Sequence, residues 1–425
     1  MEDYALRILW VNNIAIPRIA EDIGMQSVPV GGWMVKLADE IGDQPDVELT
    51  IAFPFSKEVQ GNVGGISYFS FVIDDSKIKV SSLTNQARRI EEIIRKTKPD
   101  CIHIFGTEKA HSYVFTEVAK SLGLEARVCI SIQGLTSVYA RHYEGYLPHS
   151  IVSGFTLRDL YKGNVAAGKR RFERSGKFEI AALKNVRHII GRTDWDKACT
   201  GFINPEAWYH FNNEMLRDSF YTAEPWSFEC CVPHNIFMSQ ATLPLKGVHL
   251  VIEAVSMLKP LYPDIKLCIA GKSYTQKKRC SLSKYEKYVL DMIQSNGLGD
   301  SIKFTGFLDE QRIVKEYKKA NVFVCASSIE NSPNSVCEAM MLGVPVITSL
   351  TGGIENLLTH GKEGYIYQAD APYMLAFYLK ELFDNKALAE TLGRAARETA
   401  KKRHNIETIV WDLMRIYETI GSSEE

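Results

Sequence analysis

Two carboxylates, Glu330 and Glu338, bracket seven residues in a stretch whose flanks could position chemistry. An apolar strand is predicted over 321–326 and a second over 344–347, with a short helix over 335–342 between them. The end of a strand followed by a helix start is where open α/β sheets take ligands. The first helical turn there presents unpaired N–H groups and the positive end of the helix dipole. One carboxylate in such a place can grip hydroxyls while the other stands beside a reacting centre. Two acids alone do not define a site, so the rest of the chain has to supply context.

Other polar groups fall at predicted strand ends. His103, Glu108 and His111 sit at or just beyond a strand over 101–105, and Gln133 follows a strand over 127–132. Such groups line the ligand side of a doubly wound sheet and are candidate substrate contacts. Gly31 and Gly32 precede a helix over 33–41, where the lack of a Cβ lets a backbone approach an anion. They do not form the dinucleotide-binding G-x-G-x-x-G pattern. Gly271 ends a strand over 266–270, and Gly352-Gly353 follow the strand over 344–347.

The elements that must carry these residues alternate between strand and helix. In the first half, strands are expected at 6–11, 47–53, 66–73, 101–105, 127–132 and 187–192, with helices at 85–96 and 112–122. A Tyr/Trp-rich stretch over 208–226 reads as irregular. The alternation restarts after Val232-Pro233 and runs to a nearly all-helical tail over 372–420. This pattern predicts two α/β domains with mostly parallel, doubly wound sheets. The expected division is 1–233 plus about 405–425 for the first domain and 234–404 for the second. A chain of 425 residues is long enough for two such cores.

Composition narrows the functional classes. A net charge of −1 gives no global field for nucleic acid. The nine cysteines include no C-x-x-C pair, and several lie in apolar runs, which suits a reducing cytosol. Acidic residues at 2 and 3 and the lack of a long apolar run argue against a signal peptide or membrane span. The expectation is a cytoplasmic protein. One segment is locally basic, with Lys162, Lys169, Arg170, Arg171, Arg174 and Lys177, which is compatible with a solvated helix face or with peripheral contact to anionic lipid at the inner face of the membrane. Asp194 and Asp196 superficially match a metal-binding pair, but at a helix start they read as capping acids; no metal is expected.

Taken together, Glu330-x7-Glu338, Gly343-Val-Pro-Val-Ile347, Pro244-Leu-Lys246-Gly-Val248, Ile269-Ala-Gly271, Phe304-Thr-Gly-Phe307 and Gly352-Gly353 resemble, in order and spacing, the motifs of retaining glycosyltransferase family 4. The resemblance covers 232 to about 365. It implies the GT-B fold: two Rossmann-like domains facing across a cleft, with the C-terminal helices crossing back to the first. It implies a retaining, metal-independent hexosyl- or N-acetylhexosaminyltransferase. Such an enzyme needs no cofactor beyond its co-substrate, a UDP- or GDP-linked sugar with UDP preferred. The acceptor would be a glycan or lipid-linked hydroxyl, in bacterial surface polysaccharide assembly. The alternative is a non-catalytic or partner-dependent protein that binds a nucleotide-sugar.

By the same resemblance Lys246 meets the diphosphate, Glu338 takes the ribose hydroxyls and Glu330 contacts the donor sugar. Gly31, Gly32, Gly271, Phe307, Asn334 and Ser335 complete the donor side. Glu108 and His111 are placed near the chemistry, and His103 and Gln133 on the acceptor side. Two positions depart from the family pattern: Ala241 stands where an Arg is usual, and Gln133 where many members carry a His. Either Arg192, Lys272 or another cation replaces that Arg, or Lys246 works alone.

Overall fold

The computed structural model describes residues 5–25, 32–75, 78–79, 87–240, 242–275 and 277–422. Its first sheet has eight strands: β1 (Leu6–Val11), β2 (Val47–Pro54), β3 (Gln60–Val63), β4 (Ile66–Phe71), β5 (Cys101–Phe105), β6 (Val128–Ser131), β7 (His188–Gly191) and β8 (Trp208–Phe211). They lie in the order β3-β4-β2-β1-β5-β6-β7-β8, and only the β3–β4 pair is antiparallel. Apolar runs such as Cys-Ile-His-Ile-Phe in β5 are buried throughout, as strands covered on both faces must be. The sequence order reverses between β1 and β5.

The second sheet has six parallel strands: β9 (Asn235–Met238), β10 (Lys266–Ile269), β11 (Ile302–Phe304), β12 (Val322–Cys325), β13 (Val346–Ser349) and β14 (Tyr365–Tyr367). Their order, β11-β10-β9-β12-β13-β14, is that of a doubly wound nucleotide-binding sheet. Here the reversal falls between β9 and β12.

Three strands differ from the sequence expectation. β3 forms a hairpin with β4 through Gly64 and Gly65, whose φ angles of 56° and 80° make a tight two-residue turn. The glycine pair was its only local sign, because Gln-Gly-Asn-Val lacks apolar alternation. β8 lies inside the stretch read as irregular; it is an exposed edge strand, so burial never patterned its sequence. β14 is three residues long.

Two compact units emerge, 1–138 with 173–217 and 404–425, and 139–172 with 218–403. This division differs from the expected break at 233, because residues 139–172 are bound into the second unit. Gly145 offers its carbonyl to His249 Nε2 at 2.7 Å, and Asp159 Oδ2 accepts the Lys284 N–H at 2.8 Å. Residues after 217 also join the second unit, where the Trp226 indole donates to the Ala320 carbonyl at 2.7 Å. In the first unit, the helix Ile406–Gly421 buries Ile409, Leu413, Ile416, Tyr417 and Ile420, a stripe at helical spacing. Tyr417 accepts from the Trp10 indole at 2.9 Å, which ties the chain end to the sheet.

Candidate functional site

In the second unit, the loops that follow β9 and β12 meet at the reversal of strand order, where a ligand site is expected. The β9 loop ends in a single turn, Pro244–Lys246, and the Lys246 Nζ lies 2.5 Å from Glu330 Oε1 in the β12 loop. Ser327 Oγ donates to the same carboxylate oxygen at 2.6 Å. Burial alone would push the Lys246 ammonium down, but the facing Glu330 carboxylate outweighs it and the pKa is raised. Lys246 therefore stays charged, and its side chain remains partly exposed, with 20% of its surface open. A small pocket beside the pair is lined by Gln240, Lys246, Cys325, Ser327, Glu330 and Ser335 among others.

Two glycines make this geometry obligatory. Gly247 has φ 69°, and a Cβ there would stand 2.0 Å from the Ala326 carbonyl oxygen. Gly352 has φ 50°, and a Cβ would stand 1.8 Å from the carbonyl oxygen of Glu330 itself. Gly353 then donates its N–H to that same oxygen at 3.1 Å. The β12 loop is thus gripped by backbone that no side chain could allow. From the other side, Ser328 Oγ donates to the His142 carbonyl at 2.7 Å, and the Asn331 N–H donates to the Tyr139 hydroxyl at 3.0 Å.

The predicted helix is Asn334–Leu342. Ser335 lines the pocket, whereas the Val336 N–H is turned to the Pro333 carbonyl at 3.0 Å. Glu338 is buried one turn further on, where the fully buried Tyr317 donates to its Oε2 at 3.2 Å and to the Ser335 carbonyl at 2.9 Å. Lys246, Glu330 and Ser335 are therefore brought together, and Glu338 stands apart from that pocket on the same helix. Gly271, with φ 107°, bridges to Gly306 through a 2.9 Å hydrogen bond. Phe307 follows with 78% of its surface exposed. Sequence reasoning missed Tyr317, Ser327 and Tyr139, whose roles depend on contacts 3 to 192 positions away.

In the first unit, the loops after β1 and β5 hold a second polar cluster at that sheet's reversal point. Asn13 Nδ2 donates to the Phe105 carbonyl at 3.3 Å and to Glu108 Oε2 at 3.4 Å. Glu108 folds over Gly106, where a Cβ would stand 2.2 Å from its Oε2. Burial pushes the Glu108 carboxyl up to about 7; nearby Glu179 and Glu214 add repulsion that the Asn13 hydrogen bond opposes. A carboxyl perturbed this far at a strand end fits a functional group. Gln133 donates its amide to Glu214, which also pairs with the buried Arg192. Glu214 carried no sequence signal, being in the stretch read as irregular.

Several expected residues lie elsewhere. His103 is buried between the Tyr417 hydroxyl and Ser131 Oγ, each 2.6 Å from a ring nitrogen, and burial lowers its pKa to about 3. His111 is buried in the helix Ala110–Ser121 with its ring 5.4 Å from Phe71, and burial with Lys109 lowers it to about 3. Both are neutral core imidazoles. Arg192 is unsuited to be the substitute cation because Glu214 and the carbonyls of Ile132 and Gln133 engage it. Lys272 is exposed after β10. Gly32 starts the helix Gly32–Gly42, while Gly31 and Ala241 lie outside the described residues. Asp196 closes a capping box with Thr193, and among the described residues no cluster of three or more His, Cys, Asp or Glu could hold a metal. Within the basic segment, Lys169 pairs with Glu144 at 2.8 Å and Arg174 donates to the Asp75 carbonyl at 2.9 Å. No helix among the described residues is long and apolar enough to cross a membrane.

Comparison with known proteins bears on the second unit most directly. Residues 233–399 match the family model described as glycosyl transferases group 1. The chain is similar to spore coat protein SA of Bacillus subtilis, 28% identical over 178 residues, or 41% of this chain and 46% of that protein. It is also similar to phosphatidyl-myo-inositol mannosyltransferase of Mycobacterium leprae, 27% identical over 190 residues, or 44% of this chain and 47% of that protein. The chain thus spans under half the length of these curated relatives. Among solved structures, sucrose-phosphate synthase from Thermosynechococcus elongatus superposes with a TM-score of 0.71 at 15% identity, covering 99% of this chain and 100% of that one. Anabaena HepE in complex with UDP-glucose gives 0.66 at 14% identity, covering 97% and 99%. At these identities the shared property is the fold, GT-B, with two Rossmann-like units.

Proposed function

We propose that this chain, whose residues 233–399 belong to the group 1 glycosyl transferases, moves a sugar from a nucleoside diphosphate to an acceptor hydroxyl with retention at the anomeric carbon. The observation that carries this reading is the Lys246–Glu330 pair at the β9/β12 reversal, with Ser335 at the adjoining helix start. Departure of the sugar leaves negative charge on the diphosphate. A charged Lys246 and helix-start N–H groups are preorganised to meet it. The bond from the anomeric carbon to the diphosphate oxygen breaks with its electron pair. The acceptor oxygen bonds to the same face, and its proton passes to the departing diphosphate. Glu330, held by Ser327 and by the Gly353 N–H on its carbonyl, is placed to orient the sugar beside that centre.

Glu338 has the two acceptor oxygens a ribose diol needs, and the backbone at Phe307-Leu308 is read as holding the base. The donor is read as UDP-linked, which HepE's UDP-glucose complex supports by fold analogy. Glu108 is the acceptor-side carboxylate, and the acceptor class is a glycan or lipid-linked hydroxyl of a surface polysaccharide. A thermal-shift panel of uridine, guanosine and adenosine diphosphates and their sugars tests the reading. UDP and a UDP-sugar should raise Tm, and Glu338→Gln should reduce the shift. No response at millimolar nucleotide overturns it, and a shift without any transfer would assign the chain to nucleotide-sugar binding alone.

A further inference from the structure

The segment 155–161 presents apolar side chains to solvent in a way that the donor and acceptor sites do not use. Leu157, Leu160 and Tyr161 occupy positions i, i+3 and i+4 of the helix Leu157–Lys162, on one face, and are 70%, 68% and 91% exposed. Phe155, just before it, is 60% exposed. Isolated exposed apolar residues are ordinary, but four large ones within seven positions form a patch that calls for a partner.

The helix is rigidly mounted. Thr156 and Asp159 close a capping box, Thr156 Oγ1 donates to the Leu282 carbonyl at 2.8 Å, and Asp159 accepts the Lys284 N–H at 2.8 Å. Its one carboxylate is thereby buried and engaged. Cations rim the patch. Lys162 ends the helix, Arg171 lies over Gly163, where a Cβ would be 3.2 Å from its guanidinium, and Lys284 lies 3.0 Å from a Cβ placed on Gly154. An apolar face with a cationic rim is complementary to the acyl boundary and headgroups of an anionic bilayer. A second copy fits less well, because two-fold pairing of the same patch brings like cations together.

We infer that the helix Leu157–Lys162 and Phe155 form a wedge that seats the protein on anionic lipid bilayers. Seating is separate from sugar transfer, so its test does not depend on the function proposed above. The full chain is sedimented with vesicles of phosphatidylcholine alone or with about 30% phosphatidylglycerol, at low and moderate salt. Wild type should partition onto the anionic vesicles. Leu160→Ser with Tyr161→Ser should weaken partition at least about tenfold, since each loses a large apolar contact, while leaving Tm unchanged because both side chains are exposed. Lys162→Glu with Arg171→Glu should remove the salt-sensitive part. Failure of wild type to partition, partition unaltered by the serine pair, or loss of self-association rather than of lipid binding in that variant would each overturn the inference.

Discussion

The two sheets solve the same positional problem with different degrees of completion. Each places polar side chains where its strand order reverses. In the second unit the pair is closed: Lys246 and Glu330 satisfy each other, Ser327 supports them, and Gly247 and Gly352 fix the backbone. In the first unit Glu108 is held by a long Asn13 contact and a backbone hydrogen bond and is pushed up by burial, and neither side-chain polar atom of the buried Asn12 has a hydrogen-bond partner. Under the function proposed above, the closed pair is the donor side and the more open cluster the acceptor side.

The sharpest way to break this contrast is at Lys246. Lys246→Met removes the cation and strands the buried Glu330 carboxylate, so transfer should fall by about 100- to 1,000-fold, read as kcat in a donor-saturated assay. A loss of under about tenfold would show that the diphosphate is met elsewhere.

The next test removes no functional group. Gly352→Ala forces a Cβ onto the Glu330 carbonyl at a left-handed φ and should destabilise the fold by about 2 kcal/mol, seen as a lowered Tm, together with a weakened nucleotide shift. Gly297→Ala is the comparison, with φ 64° but nothing within 4 Å of the new Cβ. It should cost stability and leave the nucleotide shift intact.

An effect confined to pH dependence, with no change in the nucleotide shift, is expected at Glu108. Its folded pKa of about 7 lies above the ordinary 4.5, so the folded state holds a proton that the unfolded state has lost between those values. Stability from this group is complete below about 4.5 and is lost as pH rises through about 7. Tm of Glu108→Gln should gain on wild type across that window and hold that lead unchanged above about pH 7. Parallel Tm curves throughout would show that Glu108 is solvated and ordinary.

How much could be read in advance differs between the same two regions. The second unit's grouping of Lys246, Glu330 and Ser335 was legible because it is built from short segments at fixed offsets: a loop lysine, a strand, a loop acid and a helix. The first unit's histidines looked equally chemical in sequence, yet His103 and His111 are neutral rings in the core. Nothing local to either residue says that Tyr417 or Phe71 will cover it. Likewise the break at 233 followed composition, whereas residues 139–172 joined the second unit through hydrogen bonds to partners more than 100 positions away.

From the sequence alone came the two doubly wound α/β units and Lys246, Glu330, Ser335 and Glu338 as candidates, because strand periodicity, helix starts and motif spacing are local. Tertiary structure alone decided which of those residues meet. It set Lys246 on Glu330, moved Glu338 onto Tyr317, buried two histidines and raised the Glu108 carboxyl. It also left Leu157, Leu160 and Tyr161 facing solvent where their hydrophobicity alone would have placed them inside. Burial and partner distance set charge state and contact, and both arise from chain segments far apart in sequence.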